Sequence, residues 1–384
     1  MAKNLWVVVP TYWTAPGVVG AFDHPTPFDG ESTLPRLLES LARQEGPAFR
    51  VLLLAGCTNE GDLAEAERAL RRRLEPFRHQ LSLAVAGVGA LRSLQSALQL
   101  EGRVFNLLSY APVRNLQLLI PYLLGAEIVI ALDDDEVVAP DYIARAAGWM
   151  RPSAGGRALH GLSGPYVDAA GELLLAEPAP SGNIFLDKAR YINQALNSLL
   201  RAGQPIVPTS LAFGGNMIFA RQVIQRVGFD PGITRGEDMD YLINARIEGV
   251  RWWMAPQLTI THLPPRHYEA PEYEKLRKDI IRFCYERAKI RRFGLRAEDF
   301  DPYPGRFLRD DLEQQAQEAL AQVGDEALFR QFGRPADILR QAQELAQAHL
   351  ARFPAFRARW QADMARWGED ESLRARVAAS LAMD

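Results

Sequence analysis

Residues 127–136 read Glu127-Ile128-Val129-Ile130-Ala131-Leu132-Asp133-Asp134-Asp135-Glu136. The apolar run Ile128–Leu132 is rich in β-branched residues and has no polar alternation, which is how a strand buried on both faces of a parallel sheet reads. It ends on four acids. Adjacent carboxylates repel one another and are costly unless water or a cation neutralises them. Such hard oxygen ligands suit Mg2+ or Mn2+, above all where phosphate oxygens complete the shell. Open α/β sheets also bind their ligands at the carboxyl ends of parallel strands. A solvated acidic turn capping a helix near Pro140 is the plainer alternative. The position directly after a buried strand favours the ligand site.

The flanking sequence repeats the pattern. Toward the N-terminus, Leu5–Val9 is β-rich and stops at Pro10, and Arg50–Leu54 is a second apolar run. Ser82–Val85 and Val104–Leu108 read as further strands. Leu34, Leu37, Leu38 and Leu41 recur at helical spacing, as do Leu63, Ala66, Leu70 and Leu74, and Asn115–Leu124 is helical. This alternation predicts an α/β fold with a parallel sheet covered by helices. Downstream, Asp168–Gly171 reads as a hairpin turn between Leu159–Val167 and Glu172–Leu175, and Asp187 as the cap of a helix through Leu200. Glu237–Glu248 has helical periodicity, while Val250–Met254 and Leu258–Thr261 read as short strands. From Pro271 helix formers dominate, and Asp299–Gly305 reads as a connector. The expected organisation is a body over 1–299, with halves of about 1–140 and 141–299, and a helical region over 300–384. The segment Trp13–Glu31, rich in Gly, Pro, Asp and Thr, reads as a long loop that either covers a ligand or decorates the surface.

Composition narrows the class. The 384 residues carry 44 Lys+Arg against 47 Asp+Glu, so no global field draws the chain to nucleic acid. Two cysteines, Cys57 and Cys284, make neither a disulfide framework nor a thiolate metal cage, and the default expectation is cytoplasmic. The apolar stretch Leu116–Leu132 is broken by Gly125 and Glu127 and reads as a helix then a strand, not a membrane span.

Three further constellations carry chemistry. Gly236-Glu237-Asp238-Met239-Asp240 puts acids in the first turn of a helix, either as dipole partners or as a carboxylate base for an acceptor hydroxyl. His262 closes a strand and is either structural or a metal ligand; Arg266 and His267, just beyond, could hold phosphate. Gly214-Gly215-Asn216 is a turn, or permits close backbone approach to a ligand. The chain has no Gly-x-x-x-x-Gly-Lys-Ser/Thr loop, no Gly-x-Gly-x-x-Gly after the first strand and no Gly-x-Ser-x-Gly elbow. Those absences disfavour P-loop NTPases, dinucleotide enzymes and α/β-hydrolases.

In this order the pieces resemble the family 2 glycosyltransferases, which have the GT-A fold. The resemblance rests on Val8-Val9-Pro10-Thr11-Tyr12, Arg114-Asn115, Leu132–Asp135 with Pro140-Asp141-Tyr142, Gly214–Met217, Gly228-Phe229-Asp230, Gly236–Asp240 and His262. It covers about residues 5–265. It implies a GT-A-type, Rossmann-like mixed but mainly parallel sheet. It implies a transferase that moves a sugar from a nucleotide-diphosphate-sugar donor to an acceptor hydroxyl, with inversion and with Mn2+ or Mg2+. Asp135 would then bind the cation, with Asp133 and His262 as further ligands. Asp133 or Asp134 would contact ribose or sugar. Pro10, Thr11, Tyr12 and Arg114 would line the nucleotide side, and Gly215 and Asn216 would lie near the donor sugar. Asp238 would be the base, with Glu237 orienting it or touching the acceptor; a desolvated site, or acid neighbours such as Glu237 and Asp240, would raise its pKa.

The chain also departs from the family pattern. Ala55–Asp62 lacks the base-reading Asp, which Glu60 or Asp62 could replace, and there is no Gln-x-x-Arg-Trp motif, so a processive synthase is disfavoured. A retaining transferase, a nucleotidyltransferase and a non-catalytic scaffold are the alternatives. The acceptor is unreadable. The C-terminal helices could shape an acceptor site or a homodimer interface.

Overall fold

The computed structural model describes residues 4–15, 22, 24–151, 159–264 and 271–381. Its main sheet runs Leu83–Ala86, Arg50–Cys57, Leu5–Thr14, Ile128–Ala131, Met217–Ala220, Gly161–Ser163, Trp253–Met254, Val207–Pro208. The first four strands are parallel, and Met217–Ala220 runs antiparallel to both its neighbours. The sheet is thus mixed and mainly parallel, flanked by helices, as expected of the GT-A type. The register Leu5↔Ile128 through Val8↔Ala131 sets the acidic run beside Val9-Pro10-Thr11-Tyr12. A second sheet of three short strands, Glu136–Val137, Ile260–His262 and Tyr166–Val167, stands next to it. Its pairing His262↔Glu136 brings the distant histidine to the acids.

Several local expectations are corrected. Val104–Leu108 is a turn rather than a strand. Asn106 donates to the Gly102 carbonyl at 2.8 Å and accepts from the Leu108 amide at 2.8 Å, giving the backbone a local alternative to a ladder. The helix expected from Asn115 begins at Tyr110, since Pro112 falls in its first turn, where a missing N–H costs nothing. Asp168–Gly171 does form a turn, closed by Gly171 N to Asp168 O at 3.0 Å, but Tyr166–Val167 pairs with Ile260–Thr261 and not with Glu172–Leu175. Asp187 stands at the start of Lys188–Arg201, yet its carboxylate turns back to the amides of Ser181 and Gly182. Trp13 and Thr14 belong to the first strand and pair with Thr26–Pro27, so the long segment is tied to the sheet at both ends. Phe22, within it, is buried with its ring 4.3 Å from that of Tyr12.

Two apolar cores hold the molecule together. One surrounds the main sheet; the other lies between Ile184–Leu199 and the helices Glu272–Arg292, Leu312–Val323 and Pro335–Gly368. Phe300 and Tyr303, in the expected connector, are buried in the second core. The C-terminal helices feed both: Ile338, Ala342 and Ala346 enter the second core, while Trp360, Met364, Trp367 and Leu373 enter the first. Among the described residues no helix is long and apolar enough to cross a membrane.

Candidate active site

The site lies where Ile128–Ala131 ends, and Arg114 is its hub. Arg114 is carried on the helix Tyr110–Leu123 and is only 3% exposed. Its Nη1 lies 2.8 Å from Asp133 Oδ1, its Nη2 donates to Asp133 Oδ2 at 3.1 Å, and its Nε donates to Glu237 Oε1 at 3.3 Å. Gln117 fixes it from behind, accepting at 3.3 Å and anchoring itself on the Val8 carbonyl at 2.9 Å. One guanidinium, with Gln117 behind it, therefore ties the first strand, the acidic run and the helix Glu237–Ile247 together. A buried cation facing two carboxylates is stable only with such satisfied geometry.

The acidic residues divide their roles. Asp133 is spent on Arg114. Asp134 has its pKa raised by burial and by the charges of Asp135 and Asp133, the repulsion expected of consecutive aspartates. Asp135 Oδ2 lies 3.2 Å from His262 Nε2, and its Oδ1 is buried without a hydrogen-bond partner among the described residues. Glu136 turns inward and is 1% exposed. It accepts from the Asp133 amide at 2.9 Å, and burial, with the charges of Asp133 and Asp135, pushes its pKa up.

Tyr166 braces the histidine side of the site. Its ring stacks on His262 at 5.0 Å, and its hydroxyl accepts from the Gly215 amide at 2.7 Å. Burial lowers the pKa of His262, but the hydrogen bond and charge of Asp135, with Asp133 behind, outweigh it and the net shift is upward.

Asp238 and Glu237 open the helix Glu237–Ile247. Gly236, in the left-handed region at φ 72°, precedes them. A Cβ there would lie 1.9 Å from Arg282 Nη1, and that nitrogen donates to the Gly236 carbonyl at 3.4 Å. Asp238 Oδ1 accepts from the Met239 amide at 2.8 Å and Oδ2 from the Gly214 amide at 3.1 Å. Burial nevertheless raises its pKa, and Asp133 adds to the rise. Burial also lifts Glu237 to about 7, against the pull of Arg114. Asp240, expected to assist Asp238, faces away: its Oδ1 accepts from Lys289 Nζ at 2.6 Å inside a buried cluster with Asp230 and Asn244. Desolvation, not a neighbouring Asp240, is what makes Asp238 more basic than a surface aspartate.

The remaining expected residues are placed as follows. Tyr12 is buried with no hydrogen-bond partner for its hydroxyl among the described residues, and it feels the charges of Arg114, Asp133 and Glu237. Thr11 is fully used internally, donating to the Leu54 carbonyl at 2.9 Å and accepting from the Trp13 indole at 2.8 Å. Pro10 is buried beside Leu54. Asn216 is likewise committed. It donates to the Leu258 carbonyl at 2.8 Å and accepts from the Tyr142 hydroxyl at 2.7 Å. The close approach that Gly214-Gly215 permits is taken by the protein's own side chains. A Cβ on Gly214 would meet Arg114 Nη2 at 2.7 Å, and one on Gly215 would meet Glu136 Oε1 at 1.8 Å. Arg266 and His267 lie outside the described residues.

Sequence reasoning passed over Tyr166, Glu136 and the residues that seat the helix start, Arg282 and Lys289. Arg282 is buried, donates to the Tyr303 hydroxyl at 3.1 Å and pairs with Asp279, which Lys188 and Arg235 also hold. The signal was present: Asp279, Arg282, Glu286 and Lys289 fall on one face of a helix, in the stripe that should be apolar.

As a metal site the cleft is incomplete by itself. Among the described residues no group of three or more His, Cys, Asp or Glu is placed to hold an ion. Asp135 and His262 converge and Asp133 does not join them. The orphaned Oδ1 of Asp135 fits a hard cation that takes further oxygens from a phosphate ligand and water.

Residues 128–282 match the family model described as Glycosyl transferase family group 2. The segment contains the acidic run, Gly214–Asn216, the helix Glu237–Ile247 and His262. The match bears out the resemblance read from the motifs over this segment, which is similar to the family 2 glycosyltransferases. No curated protein matches the chain. Among solved structures, the mannosyltransferase PcManGT from Pyrobaculum calidifontis, in complex with GDP-Man and Mn2+, is 16% identical with a TM-score of 0.42, over 99% of this chain and 87% of that one. GalNAc-T7 with UDP, GalNAc and Mn2+ is 12% identical with a TM-score of 0.43, over 86% and 56%. A mycobacterial protein is 14% identical with a TM-score of 0.40, over 76% of each. Likenesses this loose carry no argument about the ligands of this chain.

Proposed function

We propose that the protein transfers a sugar from a nucleotide-diphosphate-sugar donor to an acceptor hydroxyl with inversion, and that Asp238 is the general base. The observation that carries this reading is the state of Asp238. It is a carboxylate fixed by two backbone amides and made more basic by burial, and the Gly214-Gly215 turn that holds it also meets Tyr166, whose ring stacks on His262. Glu237 has a raised pKa too, but it is more deeply buried and turned onto Arg114. Asp238 is the more open of the two.

In the proposed reaction Asp238 takes the proton of the acceptor hydroxyl. The acceptor oxygen bonds to the anomeric carbon as the bond from that carbon to the diphosphate oxygen breaks. A single base on the acceptor side gives inversion. Asp135 and His262 would hold Mn2+ or Mg2+, which would offset charge on the departing diphosphate. Arg114 keeps Asp133 and Glu237 neutralised and in place, so that an anionic donor meets a cleft of reduced negative charge. Tyr12 lies on the donor side of the cleft in this reading.

Product NMR at the anomeric centre tests the stereochemistry. Inversion is expected; net retention would remove the single-base scheme.

A further inference from the structure

A second cavity, of about 440 Å3, lies between the turn Leu100–Phe105, the Asp230-Pro231 loop and the helix Pro335–Gly368. That volume falls in the range of about 300–1,000 Å3 common for small-molecule sites. Its wall is aromatic: Phe105 and Trp360 stack at 5.8 Å, with Phe353 and Phe356 beside them. Its polar end is cationic. Arg103 reaches only His349, at 3.3 Å, and neither Arg103 nor Arg352 has a carboxylate partner among the described residues. The acids that line the cavity are already engaged. Asp230 accepts from Lys289, Tyr285 and the Gly232 amide, while Glu101 and Asp363 pair with Arg359, and Asp363 also with Arg366. Burial lowers the pKa of His349; Asp230 opposes the fall, while Arg103, Arg352 and Lys289 add to it, which places both guanidinium groups near His349.

We propose that this cavity binds a small amphipathic anion, with a carboxylate or phosphate at Arg103 and Arg352 and an apolar body against Phe105, Phe353, Phe356 and Trp360. Two guanidinium groups without a carboxylate partner among the described residues, at one end of an apolar chamber, complement such a ligand in both charge and polarity. The inference is independent of the sugar-transfer reading, because none of these residues lies in the acidic cleft.

Calorimetric titration of the full chain tests it, with octyl phosphate, octanoate, octan-1-ol and inorganic phosphate as probes. The expected result is saturable binding of one octyl phosphate or octanoate per chain, the tighter of the two naming the head group. Octan-1-ol and inorganic phosphate should bind at least about tenfold more weakly, the value of a hydrogen bond to a charged group. The paired substitution Arg103→Gln with Arg352→Gln should weaken the anions by a similar factor. So should Ala355→Trp, which fills the cavity from an exposed helix position and removes no contact of the core. Octan-1-ol binding as tightly as the anions, both variants binding like the parent, or no saturable binding of either anion would overturn the proposal.

Discussion

Replacing Glu286 by glutamine removes a buried proton-binding site from the helix Glu272–Arg292, which seats the start of the helix Glu237–Ile247. Burial lifts the Glu286 carboxyl from 4.5 to about 8, with Arg282 opposing the rise and Asp240 adding to it. Neither oxygen has a hydrogen-bond partner among the described residues, and Arg282 Nε stands 3.8 Å from Oε1, beyond hydrogen-bond reach. The folded protein therefore keeps a proton on Glu286 at neutral pH that the unfolded chain has lost. The folded state binds more protons between the two pKa values, so stability falls as pH rises from 4.5 to about 8 and is unaffected below that window. At about 1.4 kcal/mol per pKa unit, the penalty is about 3 kcal/mol at pH 7 and about 5 kcal/mol above pH 8. Glutamine keeps the shape and cannot ionise. Unfolding entropy of ~2.1 cal/mol/K per residue gives roughly 0.8 kcal/mol/K for 384 residues, so the variant should melt about 4 °C above the parent at pH 7. The gain should shrink toward zero near pH 4.5. Differential scanning calorimetry from about pH 5 to pH 8 measures it. A Tm difference that stays constant with pH, or a variant that loses ground to the parent as pH rises, would refute the reasoning.

Two further changes probe the cleft itself. Gly236→Ala should destabilise by at least about 2 kcal/mol by denaturant titration, since it pairs a left-handed φ of 72° with a Cβ 1.9 Å from Arg282 Nη1. A neutral result would mean that Arg282 is not seated against the helix start. Asp135→Ala should abolish the thermal stabilisation that a nucleotide sugar gives with Mn2+ and that EDTA removes; unchanged metal-dependent stabilisation would unseat Asp135 as a ligand.

The sheet was legible because its strands carry their own signal. Leu5–Val9, Arg50–Leu54 and Ile128–Leu132 are continuous apolar runs, and each lies in the parallel part of the sheet. The short strands were harder. Glu136–Val137 and Tyr166–Val167 have two residues each and exist only through their pairing with Ile260–His262, which no local pattern encodes. The acidic run, Glu237-Asp238 and His262 could be picked out one by one, since consecutive acids directly after a buried strand are costly and Gly236 marks a close approach at the helix start, although acids in a first helical turn are ordinary dipole partners. Their division of labour could not be read. It is set by Arg114, which claims Asp133 and Glu237, and by Lys289, which claims Asp240 across 49 residues of chain. Likewise Gly214-Gly215 announced a close approach, but the partners, Arg114 and Glu136, are far away in sequence. The charged stripe Asp279, Arg282, Glu286 and Lys289 was readable and was passed over, because helix formers in a terminal region invite a purely structural reading.

The central claim is that Asp238 does the chemistry and that donor binding depends on other residues. Asp238→Asn is nearly isosteric and should keep both backbone contacts at the Oδ1 and Oδ2 positions only in part, since an amide offers one acceptor. The decisive measurement is transfer rate and donor affinity in this variant side by side, with the nucleotide sugar that stabilises the parent. The account predicts a rate lower by at least about 100-fold, the low end for loss of a general base, with donor affinity within a few-fold of the parent. Transfer at the parental rate would contradict it.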